Sequence, residues 1–307
     1  MTGLFVYDND SQLCYFNPHS FETSDQYFLV GVVLGLAIYN STILDIALPP
    51  FAFRRLLAAS PTQGTGGHPK PAMTYTLHDL AELRPALARG LQQLLDYDGD
   101  VQADFCLDFV VETERYGSRV RVPLCHGGEA KMVTAANRRE YVDLLVRYHL
   151  ETSVTRQFEP FKRGFFTVCG GNALSLFRPE EIELLVRGSD ETLDAASLRG
   201  AAEYSDWPKD STPETEATIQ WFWQTFEEAT ASDQRRLLAF ITGSDRIPAT
   251  GAAALTIKVH CLGDDEGRFP SARTCFNMLS LYRCRTPQQL QKMLWRAVYE
   301  SEGFGLK

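Results

Sequence analysis

The chain has 307 residues, enough for about two domains at roughly 150 residues each. With 44% apolar and 22% charged residues, its composition is that of an ordinary globular protein, which excludes collagen-like, mucin-like and disordered classes. Lys plus Arg total 30 against 39 Asp plus Glu, a net charge of −9. Nucleic-acid binders draw much of their affinity from phosphate neutralisation, so no nucleic-acid partner is expected.

The opening MTGLFVYDND has neither a basic n-region nor an apolar h-region, so no secretory leader is predicted. The longest apolar run, FLVGVVLGLAIY at 28–39, has 12 residues, whereas a membrane span needs about 20. It reads as a buried core helix in which Gly31 and Gly35 allow close helix approach, and no membrane association is expected. SPTQGTGGHPKP at 60–71 holds three Pro and three Gly and reads as a surface loop. Its GTGG lacks the lysine ending and the strand–turn–helix setting of a phosphate cradle.

Leu80, Leu83, Leu87, Leu91, Leu94 and Leu95 recur at helical spacing, which predicts a helix over about 77–97. The period then changes to two. Phe105, Leu107, Phe109 and Val111, then Val120, Val122 and Leu124, flank Tyr116-Gly117-Ser118 and predict a β-hairpin. Tyr141, Leu144, Leu145 and Tyr148 return to helical spacing. Pro179, the glutamates at 180, 181 and 183, and Gly188 mark the start and end of a helix. The polar GSDETLD that follows predicts a boundary at about Gly188 to Glu191.

Beyond that boundary, a helix is predicted over Ile219–Ala229 and another from Ser232 as N-cap to Ile241, with Gly243 past its end. Strands are predicted at Leu255–Val259 and at about 275–281, and a last helix opens at Thr286-Pro287. The pattern is α+β.

Six histidines are scattered, and no HExxH, GxSxG or DxDxDG is present, so neither a metal site nor a cofactor is predicted. Seven cysteines, none in a CxxC pair, point to free thiols in a reducing compartment, hence an intracellular protein of the cytoplasm or nucleus. Cys275 stands apart. It lies in RFPSARTCFNML at a loop-to-strand junction, near Arg268 and Arg273, and a nearby cation favours the nucleophilic thiolate. From these features alone, a reactive cysteine and a buried structural one both remain open.

Several segments, taken in order, resemble HECT-type ubiquitin ligases of the E6-associated-protein-like branch. They are Tyr15-Phe16-Asn17-Pro18, VVLGLAIYN at 32–40, FKRGF at 161–165, FRPEEIELLVRG at 177–188, Trp221-Phe222-Trp223, ITGSDRIP at 241–248, TCFN at 274–277 and GFG at 303–305. The resemblance implies a bilobal α+β domain. Residues 1–187 would form a mostly helical N-lobe whose small hairpin-containing subdomain, about 90–155, binds an E2 enzyme. Residues 188–190 would form a hinge, and 191–307 a smaller α/β C-lobe. It further implies that about 50–60 residues of the family domain lie before the portion matched here.

Within that frame Cys275 accepts ubiquitin from a charged E2 as a thioester and passes it to a substrate lysine. Thr274 is implied to orient the cysteine through its hydroxyl, and Phe304 to position the tail. Arg273 stands where the family carries histidine, which keeps a cation but loses a titratable proton carrier. E2 contacts fall on Leu94, Asp104, Phe105, Tyr141 and Leu145; aromatics dominate interface energies, while Leu94 and Leu145 are equally readable as helix core. Gly188, Ser189 and Asp190 form the hinge that lets the cysteine face E2 and then substrate. Two alternatives stay open: an E2-binding module without turnover, and a cysteine peptidase using His260 as base.

Overall fold

The computed structural model describes residues 3–44, 46–58, 73–115, 117–170, 174, 176–264 and 267–301. The fold is α+β. The chain divides into two compact units, Met1–Asn40 with Ile46–Glu183, and Ser41–Asp45 with Leu184–Lys307.

The first unit opens with an antiparallel pair, β1 (Phe5–Tyr7) and β2 (Cys14–Phe16), followed by α1 (Ser24–Tyr39), α2 (Pro50–Ala58), α3 (Leu77–Leu83), α4 (Pro85–Asp96) and α5 (Val101–Phe105). A hairpin of β3 (Val110–Arg115) and β4 (Ser118–Pro123) leads to α6 (Arg138–Leu150), α7 (Thr155–Val168) and α8 (Pro179–Arg187), the last of which crosses into the second unit. Phe16 sits at the centre of an aromatic core, its ring 5.1 Å from Phe161 and 5.9 Å from Phe158. Arg55 is buried there, yet it donates to Tyr15 Oη at 3.0 Å and Leu150 O at 3.1 Å and lies 3.8 Å over the Phe158 ring. A buried cation is tolerable only with partners of this kind.

The α1–α7 contact is made backbone to backbone. A Cβ at Gly31 would run into the Phe161 carbonyl oxygen, one at Gly164 into that of Phe28, and one at Gly35 would lie 2.9 Å from Val168 Cβ. Gly31 and Gly35 thus do what the sequence predicts. The burial expected for the whole helix does not hold, because glycine sets the contact on one side. Leu29, Val33 and Leu36 on the other side stay 58%, 52% and 44% exposed.

Other differences are local. The helix expected over 77–97 breaks at Arg84 because Pro85 opens a new one. The hairpin forms, with Arg115 paired to Ser118 and Gly117 at φ +76°. Its first strand starts at Val110, however, and Phe105 ends a short helix capped by Asp100. The 60–71 loop lies outside the described residues. Pro179 and Gly188 bound α8 as expected, with Gly188 at φ +72°.

The second unit continues with α9 (Ala195–Gly200), β5 (Glu203–Ser205), α10 (Ala217–Glu228), α11 (Ala231–Thr242), β6 (Lys258–Asp264), β7 (Ser271–Arg273), β8 (Met278–Arg283) and α12 (Pro287–Ser301). The strands form one sheet in the order β5-β6-β8-β7, parallel except for β7. Its inner face (Val259, Leu279, Leu281) packs on Phe222, Trp223, Leu238 and Leu294. Thr230, not Ser232, caps α11: its hydroxyl accepts from Asp233 N at 3.2 Å, and Ser232 lies inside the first turn. The strand expected at Leu255 begins later, at Lys258, after a 3-10 turn at Ala252–Ala254.

Two stability predictions follow from the first unit. Gly164→Ala should lower stability by about 2–3 kcal/mol as α1 and α7 are forced apart. Gly90→Ala, where a Cβ meets nothing within 4 Å, should add about 0.5–1 kcal/mol; denaturant midpoints separate the two. The second concerns His149, which lines a cavity of about 890 Å³ with its Nδ1 3.4 Å from Arg84 Nη1. Burial, and then the Arg84 charge, push its pKa down to about 4. The unfolded chain therefore takes up this proton first, so the histidine's contribution is intact above pH 6.5 and is lost as pH falls toward 4. Between pH 7 and 5 the loss should be about 2 kcal/mol, and unfolding curves of His149→Gln should lack that increment.

Candidate functional site

Cys275 lies in a 3-10 turn, Thr274–Phe276, between β7 and β8. The strand predicted at 275–281 starts only at Met278, which puts the cysteine on the turn before it. Asn277 closes the turn in the left-handed region at φ +50°, a conformation asparagine tolerates well. Its N–H donates to Thr274 O at 3.1 Å, and its carbonyl accepts from Lys258 N at 2.8 Å, tying the turn to the start of β6. Cys275 is exposed, as is the adjoining Phe276 at 62%.

Thr274 is exposed and lies beside Gly243. A Cβ at Gly243 would sit 3.5 Å from Thr274 Cβ and 3.8 Å from its Cγ2. Among the described residues its hydroxyl makes no hydrogen bond, and Arg273, which is exposed, makes no ion pair. His260 is held on the β5 side, with Nδ1 3.0 Å from Asp206 Oδ2 and 3.1 Å from Ser205 Oγ. β5 is the edge strand away from β8, so these bonds draw the ring away from the cysteine turn. Phe304 lies outside the described residues.

The other thiols divide by burial. Cys14 and Cys261 are buried, and Cys125, Cys169 and Cys284 are half-buried. Burial pushes the Cys169 and Cys261 thiols up, away from thiolate. Cys106 is exposed like Cys275, a feature that sequence reasoning missed. It ends α5 at φ +49° with its Sγ donating to Ala103 O at 3.3 Å. Among the described residues, no group of His, Cys, Asp and Glu is arranged to hold a metal, and no helix is long and apolar enough to cross a membrane.

The hairpin subdomain separates the five residues matched there. Leu94, Tyr141 and Leu145 are only 2–6% exposed and form its interior, with Tyr141 edge-on to Phe109 at 5.4 Å. Asp104 and Phe105 face outward. Beside them is Tyr97, which the sequence reading passed over. Its ring stands edge-on to Phe105 at 5.0 Å, and its hydroxyl donates to Asp104 Oδ2 at 2.6 Å, a bond that raises the phenol pKa. Tyr97 and Phe105 together leave an exposed aromatic patch on this subdomain. In the second unit, Gly188 and Ser189 run beside Ile247 and Asp190 O accepts from Arg235, so all three predicted hinge residues are hydrogen-bonded or packed.

The profile of the HECT-domain (ubiquitin-transferase) family matches residues 1–307. The chain is 38% identical over 305 residues to the probable E3 ubiquitin-protein ligase HECTD2 of Mus musculus, covering 99% of this chain and 39% of that protein. It is 37% identical over 307 residues to the probable E3 ubiquitin-protein ligase HERC4 of Homo sapiens, covering 99% of this chain and 27% of that one. It is 36% identical over 322 residues to the probable E3 ubiquitin-protein ligase HUL4 of Eremothecium gossypii, covering 99% of this chain and 36% of that relative. The chain therefore spans well under half the length of these relatives, and it belongs to the HECT-domain family of ubiquitin transferases.

Proposed function

We propose that this chain is the catalytic domain of an E3 ubiquitin-protein ligase in which Cys275 carries ubiquitin. The observation that carries this reading is an exposed cysteine held on its own turn at the end of the second unit's sheet, in a chain that belongs to the HECT family. The first unit serves as the N-lobe and the second as the C-lobe, and the chain passes from one to the other within α8, ahead of Gly188–Asp190.

In the first step the Cys275 thiolate attacks the thioester carbonyl of a charged E2, and the E2 thiolate leaves. One thioester replaces another, so little driving force is needed and the rate rests on orientation. In the second step the neutral ε-amine of a substrate lysine attacks the new thioester. An isopeptide bond forms, the Cys275 thiolate departs and the amine's proton passes to a base. Ubiquitin, a charged E2 and a protein substrate are the partners this chemistry requires. The peptidase alternative finds His260 paired with Asp206, as a base would be, but on the β5 side of β6 and, among the described residues, with no contact to Cys275.

Incubated with E1, E2, ATP and ubiquitin, the protein should form an adduct that thiols reduce. Cys275→Ala should form none, and Cys275→Ser should trap an oxygen ester that survives thiol but not alkali. An adduct of unchanged yield in Cys275→Ala would sink the assignment. For E2 docking, the exposed patch is the relevant surface. Phe105→Ala and Tyr97→Ala should each raise KM for charged E2 by about tenfold, roughly 1.4 kcal/mol, with the saturated transfer rate preserved. Leu94→Ala should instead lower the stability of the first unit by about 2–5 kcal/mol. Equal KM values in all three proteins would place E2 elsewhere.

A further inference from the structure

Helix α11 ends at Gly243, whose N–H donates to Ala239 O at 2.8 Å and whose φ is +83°. The chain then turns through Ser244, Asp245, Arg246 and Ile247. This turn is closed internally: Ser244 N donates to Thr242 Oγ1 at 3.2 Å, and Arg246 N donates to Ser244 Oγ at 3.2 Å.

One side of the turn holds the segment that enters the second unit. Ser189 N donates to Ile247 O at 2.7 Å, and Ile247 N returns a bond to Ser189 O at 3.1 Å. Arg246 Nη1 reaches Gly188 O at 3.4 Å. A Cβ at Gly188 would lie 2.5 Å from the Ile247 carbonyl oxygen, so the two strands approach as closely as glycine permits. Arg235, about two turns back on α11, completes the arrangement. Its Nη1 donates to Asp245 O and its Nη2 to Glu191 O, both at 2.9 Å, and Nη2 also bonds Asp190 O. A single guanidinium thus joins three main-chain carbonyls from two separate segments. A planar fork with five donors can do this; an ammonium is a compact point charge and cannot reproduce the spread. The other side of the turn lies beside the nucleophile loop: a methyl placed on Gly243 would come into ordinary contact, at 3.5 Å, with Cβ of Thr274, the residue before Cys275.

We infer that Arg235 is a positioning residue for Cys275: it locks the 243–247 turn into a brace between the entering segment at 188–191 and the turn that carries the cysteine. The inference rests on the transferase reading above and adds a residue to it. Residues 188–191 then travel with the second unit, and the pivot for its reorientation lies on the N-terminal side of Gly188. Cys275 keeps a fixed bearing relative to that pivot, which aims it at each partner in turn.

Arg235→Ala should slow the saturated rate of ubiquitin transfer from E2 to Cys275 by about tenfold while KM for charged E2 stays within twofold, because misplacement of a nucleophile falls on the rate and not on docking. Arg235→Lys should recover only part of the rate. Hydrogen exchange at the amides of Ser189 and Ile247 should quicken in Arg235→Ala. Thr274→Ser, which deletes the methyl beside Gly243, should also slow transfer, and the double variant should be no slower than the worse single one. A folded Arg235→Ala protein with wild-type rate, or multiplicative losses in the double variant, would overturn the brace. If the unaltered protein formed no thioester, the transferase reading would fail, and unchanged exchange at Ser189 and Ile247 in Arg235→Ala would separately overturn the brace.

Discussion

The second unit depends on the face that its sheet turns toward the helices. Leu279 and Leu281 of β8 and Val259 of β6 point into the helices, and alternation along a strand leaves the intervening side chains on the other face. That parity cannot slip by one residue without bringing Met278 and Ser280 inward and turning two leucines out. β8 is therefore fixed in register, and the turn before it is fixed with it. Two cysteines of the same sheet show what this means chemically. Cys261, on β6, shares the inner face with Val259 and has its thiol pushed up by burial, whereas Cys275 lies beyond the end of β8 and is exposed. Distance from the core, more than the cysteine's neighbours in sequence, separates an inert thiol from an available one.

The first unit solves a different problem, that of holding a surface steady without burying it. Tyr97 precedes, and Phe105 closes, a short helix that Asp100 caps and the left-handed Cys106 ends, and their rings meet edge-on. Five residues of helix have little stability of their own. Leu94, Tyr141 and Leu145 are buried in the interior, while the outer residues are tied by the Tyr97–Asp104 hydrogen bond and by Arg138, whose guanidinium donates to the carbonyl oxygens of Leu94 and Tyr97. Interior residues and presenting residues are thus distinct sets within one subdomain. Matching a family pattern by position picks out both sets alike, because both are apolar.

Legibility in the sequence followed locality. The ends of α8 could be read because Pro179 and Gly188 each act on the backbone at their own position, and Gly243 could be read for the same reason. The hairpin could be read because its two-residue connection and alternating strands lie within about twenty residues. Ser232 and Thr230 are both good caps two residues apart, and only the hydrogen bond to Asp233 chooses between them. The break at Arg84 was hidden by leucines that keep helical spacing across it. β5 and β7, three residues each, are strands only by virtue of their neighbours. Cys275 was legible through a motif. The role inferred for Arg235 was not, since its acceptors are backbone carbonyls, which every residue possesses and no sequence pattern marks.

In the proposed reading Cys275 is an exposed nucleophile, and such a group faces a conflict that a buried one does not. Reaction with two large partners requires the thiol to project into solvent, yet thioester exchange offers so little driving force that the rate must come from orientation. Side-chain packing, the usual source of order, is incompatible with that exposure. Here order is supplied through the backbone instead: both main-chain polar groups of Asn277 are engaged, one within the turn and one by β6, and Thr274 lies beside Gly243. Cys275 itself stays exposed. The same logic explains the use of main-chain acceptors by Arg235. A clamp built on carbonyls holds the path of the chain whatever side chains the surface must carry, so the nucleophile can be rigidly placed while the face it offers stays open.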